Sequence, residues 1–334
     1  MVKPIQEFKH QHAGHCESGV MSTMLSHHGL PLSEPMVFGL ASALNFAYLP
    51  FVKLAGMPLI AYRSVPKAII KGLQKNIGVK MKIETFSTVQ KGQDRLDVLL
   101  KEGKVVGAQT SVYWLPYLPE EMRFHFNGHN LLVYGKEDKN YKISDPVFEN
   151  VVEADEVDFA KARFAKGVMA PKGAIYYPTY VPETIDYERI VPKAIKTVAK
   201  RMLKTPVPIA GLKGIHFLAK SIRKLENKDR RYTRLFLGHI VRMQEEIGTG
   251  GAGFRYIYAS FLQESGHILD NKTLLECSEM MTSVGDSWRE FALLIAKAIR
   301  SKKKEPIDLN AIADKLDEIA DEESLVYEKL LTAF

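Results

Sequence analysis

Three residues in the first half of this chain are of the types that together perform nucleophilic chemistry: Cys16, His129 and Asp145. A helix is predicted over ESGVMSTMLSHHG, starting at or near Cys16 and closed by Gly29 at its C-cap position. A cysteine in the first turn of a helix has its thiolate favoured by the free amide ends and by the helix dipole. Unassisted, a thiol with a pKa of about 8.5 is only slightly ionised at neutral pH, and a paired histidine converts it to the reactive form.

The segment HNLLVYGKEDKNYKISDP supplies that histidine. HNLLVYG and NYKISD read as two strands joined by a charged turn. With Tyr134 facing Asn140 across a five-residue loop, His129 falls directly opposite Asp145, on the face that carries Leu131, Val133, Tyr141 and Ile143. Directly opposed side chains have Cβ atoms roughly 4.5 to 5.5 Å apart, within reach of a carboxylate–imidazole hydrogen bond. The acid would fix the imidazole tautomer and support the imidazolium. A register slip of one residue would send the two side chains to opposite faces.

Cys16 lies in a stretch holding five of the ten histidines: His10, His12, His15, His27 and His28. A zinc site is not expected. His10-x-His12 and His15-Cys16 are irregular spacings, and no Cys-x-x-Cys pair exists to close the coordination. His27 and His28 sit about three turns along the helix, where they suit its negative end. His15 is the local neighbour of the thiol. No cofactor is called for by any motif.

The elements that must position these residues fall into two textures. Residues 1–180 mix short helices with strand-like runs at PLIAY, VKMKIETF, KVVGAQTSVYW, HNLLVYG, YKISD and GAIYYP; a second helix is predicted from Ser33 through FGLASALNFAYL. Helix first and strands later predict an α+β domain with an antiparallel sheet. Residues 185–334 read as helices over 190–202, 215–225, 233–247, 254–264, 272–284, 286–298 and 309–331. The proline-punctuated YYPTYVPETID forms the join. GTGGAG, residues 248–253, lacks the Lys and Ser/Thr of a phosphate-binding loop and reads as a helix-to-helix turn. Cys277 falls on an apolar helical face, and the aromatic run SVYWLPYLP reads first as core.

At 334 residues, 46% hydrophobic and 25% charged, the composition is that of a globular protein. No apolar run is long enough to span a membrane, and the N-terminal residues lack the apolar core of a signal peptide. With two cysteines and no such signal, a cytoplasmic location is expected. The net charge of +7 is concentrated: residues 184–240 carry fourteen Lys or Arg against four Asp or Glu. That favours an acidic partner, although no nucleic-acid module accompanies the charge and no membrane partner is expected.

In this order, a helix-start cysteine, a histidine opening a strand and an aspartate in Asp-Pro resemble the papain-like superfamily, with the bacteriocin-processing peptidases the nearer shape. GHCESG, VFGLASALNFAY and GGAGFRYIYASFLQE together resemble the butirosin-biosynthesis acyltransferase family, over nearly the whole chain. The resemblance implies a papain-like catalytic domain over 1–180 and a helical substrate- or carrier-binding domain over 185–334. It implies acyl transfer in secondary metabolism from an acyl carrier protein or other thioester donor to a small amine, an aminoglycoside in the family's namesake. Carried over, Cys16 takes the acyl group, His129 is the base and Asp145 orients it. Arg255 and Tyr258, on the FRYIYASF helix, are candidates to face the substrate. One departure stands out. Papain-like enzymes place an oxyanion-donating glutamine about six residues before the cysteine, where this chain has His10; Gln11 sits one residue late, and His10 or His15 are substitutes.

Two other readings use the same residues. A cysteine peptidase or amidase would deliver the acyl group to water, and a non-catalytic binding module would keep the frame without turnover. The helical half also has surface enough for a homodimer.

Overall fold

A computed structural model of the chain describes residues 8–54, 56–300 and 306–334. In chain order the elements are α1 (Cys16–His27), α2 (Glu34–Leu40), β1 (Leu44–Leu54), β2 (Met57–Arg63), α3 (Ala68–Ile77), β3 (Lys80–Glu84) and α4 (Val89–Lys101). There follow β4 (Val106–Thr110), β5 (His129–Glu137), β6 (Asn140–Ser144), β7 (Val152–Asp155), α5 (Glu156–Arg163) and β8 (Ile175–Tyr180). The rest is helical: α6 (Tyr187–Lys204), α7 (Gly211–Arg223), α8 (Arg230–Val241), α9 (Arg255–Ile268), α10 (Lys272–Arg300) and α11 (Leu309–Leu331). The protein is α+β: an antiparallel sheet lies in the N-terminal half and the C-terminal region is helical.

The chain divides into two compact units, and the division differs from a simple cut near residue 180. One unit ends at Val37 and resumes over Ile69–Ile185; the other joins Phe38–Ala68 to Asp186–Phe334. The first seven residues of the predicted 1–180 domain lie outside the described residues. The segment that changes unit carries the β1–β2 hairpin: the second helix expected from Ser33 through Leu49 ends at Leu40, and the strand expected at PLIAY is β2. LNFAYLPFVKL forms a strand rather than a helix: it pairs with β2, and its alternate residues Leu44, Phe46 and Tyr48 are buried. Arg201 of α6 fastens the hairpin, donating to the carbonyls of Ser42 (2.8 Å) and Leu44 (3.1 Å) and to Ser64 Oγ (3.0 Å).

The first unit is built on a six-stranded sheet in the order β3-β8-β4-β5-β6-β7, every pairing antiparallel. One face carries Ala108, Leu131, Val133, Tyr141, Ile143 and Ile175, packed with Leu96, Leu99 and Leu100 of α4 and Phe159 and Ala162 of α5. On the other face lie Gly107, Asn130, Leu132 and Tyr176, which the pairings place side by side. Helix α1 packs on β5. It is buried on every side from Cys16 to Leu25, which explains why its sequence shows no clear polar stripe.

The β5–β6 register is not the one expected. The turn is two residues, Asp138 and Lys139, so Glu137 pairs with Asn140, Lys136 with Tyr141 and Gly135 with Lys142. Asp138 takes a φ of 50°, which an aspartate tolerates. A bulge then follows at Tyr134, beyond which Val133 pairs with Ile143 and Leu132 with Ser144. Asp145 follows the last residue of β6, beside Leu131, and His129 lies two residues farther along the same face. The pair is diagonal rather than directly opposed, which long side chains still bridge. Had the ladder continued without the bulge, Leu132 would lie beside Asp145 and His129 would face away.

In the second unit, the helices surround a core holding Phe46, Tyr62, Trp288 and Phe291. The predicted helices over 272–284 and 286–298 are one continuous helix, α10. The 248–253 glycines form the expected turn. Gly253 lies beneath the Tyr62 ring, where a Cβ would come within 2.3 Å of it.

Candidate active site

The site grows from the start of α1. His15 caps the helix: its Nδ1 lies 3.2 Å from the Ser18 amide, which donates to it, and 2.8 Å from Ser18 Oγ. Glu34 holds the approach to the cysteine, accepting from Gly14 N (2.8 Å), His15 N (2.8 Å) and Ser18 Oγ (2.8 Å). One carboxylate thus closes three donors around the first turn. This places the Cys16 thiol, 9% exposed, at the positive end of a helix whose first turn is tied down by Glu34.

His129 and Asp145 meet as the sequence predicts, although by the diagonal route: Nε2 lies 2.7 Å from Asp145 Oδ2. That contact leaves Nδ1 for the sulfur. Asp145 is fully buried and is held by two further donors, the Tyr117 hydroxyl to Oδ2 (2.8 Å) and the Val147 amide to Oδ1 (3.2 Å). Burial, then the charge of Asp145, pushes the Tyr117 hydroxyl well above its ordinary range, so it remains a donor.

The electrostatics favour an ion pair. Burial pushes the Cys16 thiol up, but the field of His15 and the hydrogen bonds from His129 and His15 outweigh it and hold the thiol well below its usual range. For His129, burial pushes the imidazole down; the Asp145 carboxylate and the sulfur outweigh it and raise it to about 10. Both shifts favour the thiolate of Cys16 and the imidazolium of His129. Cys277, in contrast, is fully buried on α10, and burial pushes its thiol up to about 11. An inert core thiol was the expectation for it.

Glycine at position 19 is what lets the aspartate loop dock. A Cβ there would come within 2.6 Å of Ala13 Cβ and 2.8 Å of Pro146 Cβ, and the Ala13 amide donates to the Pro146 carbonyl at 2.7 Å. Gly19→Ala is expected to cost about 1–3 kcal/mol of stability through overpacking. It should also displace Asp145 and slow Cys16 alkylation at pH 7; urea unfolding and iodoacetamide kinetics read the two effects.

The other predicted residues scatter. Gln11 turns from the thiol, its Oε1 accepting from Ser22 Oγ (3.2 Å), and lines a cavity of about 400 Å³ with His12, Ser22 and Leu32. His10 is engaged at both ring nitrogens, by Ser144 Oγ (2.7 Å) and the Phe148 carbonyl (2.9 Å), and so braces the segment around Asp145. His28 Nδ1 donates to the Met24 carbonyl at the helix end. No group of three metal-binding side chains occurs among the described residues, and none of their helices is long and apolar enough to cross a membrane.

Arg255 and Tyr258 do not face a substrate site. Arg255 is 0% exposed, with Nε on Glu323 Oε1 (2.9 Å), Nη2 on Oε2 (3.2 Å) and Nη1 on the Gly253 carbonyl (2.8 Å). Tyr258 is buried beside Phe261 in the same unit. Both are core residues of the second unit, because the helix that carries them is apolar on the face they share.

Sequence reasoning missed Tyr117, Ser18, Glu34 and Asn130. Tyr117 lay inside a run read as core, and its neighbours Leu115 and Leu118 are indeed core. Asn130 stands beside His129 in the sequence and sends its Nδ2 to 3.8 Å from Cys16 Sγ. The one available signal for it was a polar residue amid the apolar HNLLV.

Two family models match this chain, one on each side of residue 150. Residues 15–146 match the family described as butirosin biosynthesis protein H, N-terminal, a span that contains Cys16, His129 and Asp145. Residues 157–330 match a family described as a domain of unknown function (DUF4872). No curated protein matches the chain. A crystal structure assigned to a C39-like peptidase from Bacillus anthracis is 18% identical, over 54% of this chain and 96% of that one, with a TM-score of 0.34. With the second match covering more than half of its residues, the chain belongs to the DUF4872 family, and the part that holds the cysteine site matches the butirosin biosynthesis protein H N-terminal family.

Proposed function

We propose that this papain-like cysteine enzyme is an acyltransferase, moving an acyl or aminoacyl group from a thioester donor to an amine through an acyl-Cys16 intermediate. The observation that carries the reading is Cys16 at the start of α1 together with a buried His129 held by Asp145, inside the span that matches the butirosin-type domain. The thiolate attacks the thioester carbonyl; the new Sγ–C bond forms, the donor's C–S bond breaks, and the departing thiolate takes the His129 proton. Exchange of one thioester for another is nearly balanced, so a cysteine suits such a donor. The amine then attacks, neutral His129 accepts its proton, and the Cys16 thiolate leaves, restoring the ion pair. An acidic carrier protein is the proposed donor, docking on the basic 184–240 stretch.

Incubation with acyl thioesters of pantetheine, followed by intact-protein mass spectrometry, tests the reading. Wild type is expected to gain one acyl mass and Cys16→Ala none, with the adduct discharged faster by amines than by water. Discharge by water alone would move the assignment to a peptidase or amidase. The ion pair also sets a pH window. Because the Cys16 pKa is depressed, the thiolate is lost as pH falls through that lowered pKa; because the His129 pKa is raised, the imidazolium is lost only as pH rises through about 10. Alkylation of Cys16 by iodoacetamide should therefore be nearly flat through neutrality, rather than rising tenfold per pH unit as for an unperturbed thiol below a pKa of about 8.5.

A further inference from the structure

When an acyl group adds to Cys16, the carbonyl oxygen becomes an oxyanion, and such oxygens are held by two or more preorganised donors. One donor follows from the fold. Cys16 opens α1, and the amides of a helix's first turn have no carbonyl behind them. Of the three side chains that the sequence offered as the second donor, Gln11 is turned to Ser22 and His10 is engaged at both nitrogens. His15 caps the helix through Nδ1 while keeping its own hydrogen bond to the Cys16 sulfur.

Asn130 is differently placed. Its Nδ2 lies 3.8 Å from Cys16 Sγ and 3.1 Å from the Gly128 carbonyl, and its Oδ1 lies 3.0 Å from the Tyr176 hydroxyl. The Gly128 carbonyl can only accept, so the group facing it is the NH2. One N–H is thereby held by Gly128, and the other is directed at the sulfur. Tyr176 reaches the amide by crossing Gly107, where a Cβ would come within 2.2 Å of its ring. The tyrosine is buried, which together with the Glu17 and Cys16 charges keeps its hydroxyl protonated and donating. Residues 107, 130 and 176 share the sheet face on which α1 packs. The amide is therefore fixed before any substrate arrives.

We propose that Asn130 is the side-chain donor of the oxyanion hole, replacing the glutamine that this chain lacks at position 10. The oxygen of the tetrahedral adduct sits one carbon away from Sγ. A donor already beside the sulfur can reach it at roughly 2.7–3.1 Å. Asn130 then touches the reacting atoms, and Tyr176 and Gly107 position it. The assignment rests on the acyl-enzyme reading above and concerns the same sulfur.

Two reagents separate this role from mere support of the thiol. p-Nitrophenyl acetate acylates a thiolate through a tetrahedral oxyanion; iodoacetamide alkylates it at a saturated carbon and forms none. Asn130→Ala is expected to lower the ratio of Cys16 acylation to Cys16 alkylation by about 10²-fold. Tyr176→Phe, which keeps the ring and removes the hydroxyl, should lower the same ratio by about 10-fold. An unchanged ratio in Asn130→Ala overturns the assignment and leaves the acyl-enzyme reading standing. If Asn130→Ala proves unfolded, an unchanged ratio in Tyr176→Phe overturns it instead. Wild-type Cys16 that takes the acetyl group but none from any thioester overturns the transferase reading and leaves Asn130 in place. Alkylation without acylation by either reagent overturns both.

Discussion

His129→Ala is expected to slow acylation of Cys16 at pH 7 by about 10²- to 10⁴-fold, the usual contribution of a general acid–base group. Two causes act together. The sulfur loses the imidazolium that offsets its burial, so its pKa climbs and the thiolate fraction at neutrality drops. The departing thiolate also loses its proton source. The two are separable by pH: alkylation, which needs only the thiolate, should recover in the variant as pH rises, whereas acylation should stay depressed. His15 remains beside the sulfur in the variant, and its field keeps the alkylation profile from moving all the way to that of a buried, unassisted thiol. Stopped-flow acylation and iodoacetamide kinetics across pH check both statements. Equal alkylation profiles for variant and wild type would show that His129 does not sustain the thiolate.

The largest effect on stability is expected from Glu323→Ala, at about 3–5 kcal/mol. Glu323 is buried and accepts from Arg255 Nε (2.9 Å), Arg255 Nη2 (3.2 Å), Trp288 Nε1 (2.7 Å) and the Tyr327 hydroxyl (2.9 Å). Without it, a guanidinium with 0% exposure keeps only the Gly253 carbonyl, and two further buried donors lose their acceptor. Removing both charges, as in Arg255→Met with Glu323→Leu, should recover most of the loss, because similar-volume apolar side chains fill the site without a stranded ion. Urea unfolding of the single and double variants measures it. A small loss in Glu323→Ala would mean that water reaches Arg255.

Much of the site was legible because its chemistry is local in sequence. A cysteine before a helical run, and a histidine and an aspartate flanking two short strands, can be placed by periodicity alone. The helices of the second unit were legible for the same reason: each buries one apolar stripe. What escaped depends on pairing at a distance. Nothing local says that LNFAYLPFVKL prefers a strand partner to helix formation, since aromatic and aliphatic residues suit either. Nor does local sequence say that Tyr117, Tyr176 and Asn130 are polar contacts rather than packing, for their hydroxyls and amide acquire partners only after the sheet is assembled. Arg255 misled because an arginine near a glycine-rich turn suggests a ligand, whereas its carboxylate lies 68 residues farther along the chain.

The bulge at Tyr134 makes the catalytic pair depend on a count rather than on any side chain. Between the turn and the site, β5 has one residue more than β6 uses, and that odd unit sets the side of the sheet from which His129 emerges. No substitution alters parity; a single insertion in the hairpin does. A one-residue insertion between Leu131 and Gly135 would present Asn130 where the base should stand, whereas deletion of Tyr134 would remove the bulge and leave His129 in phase.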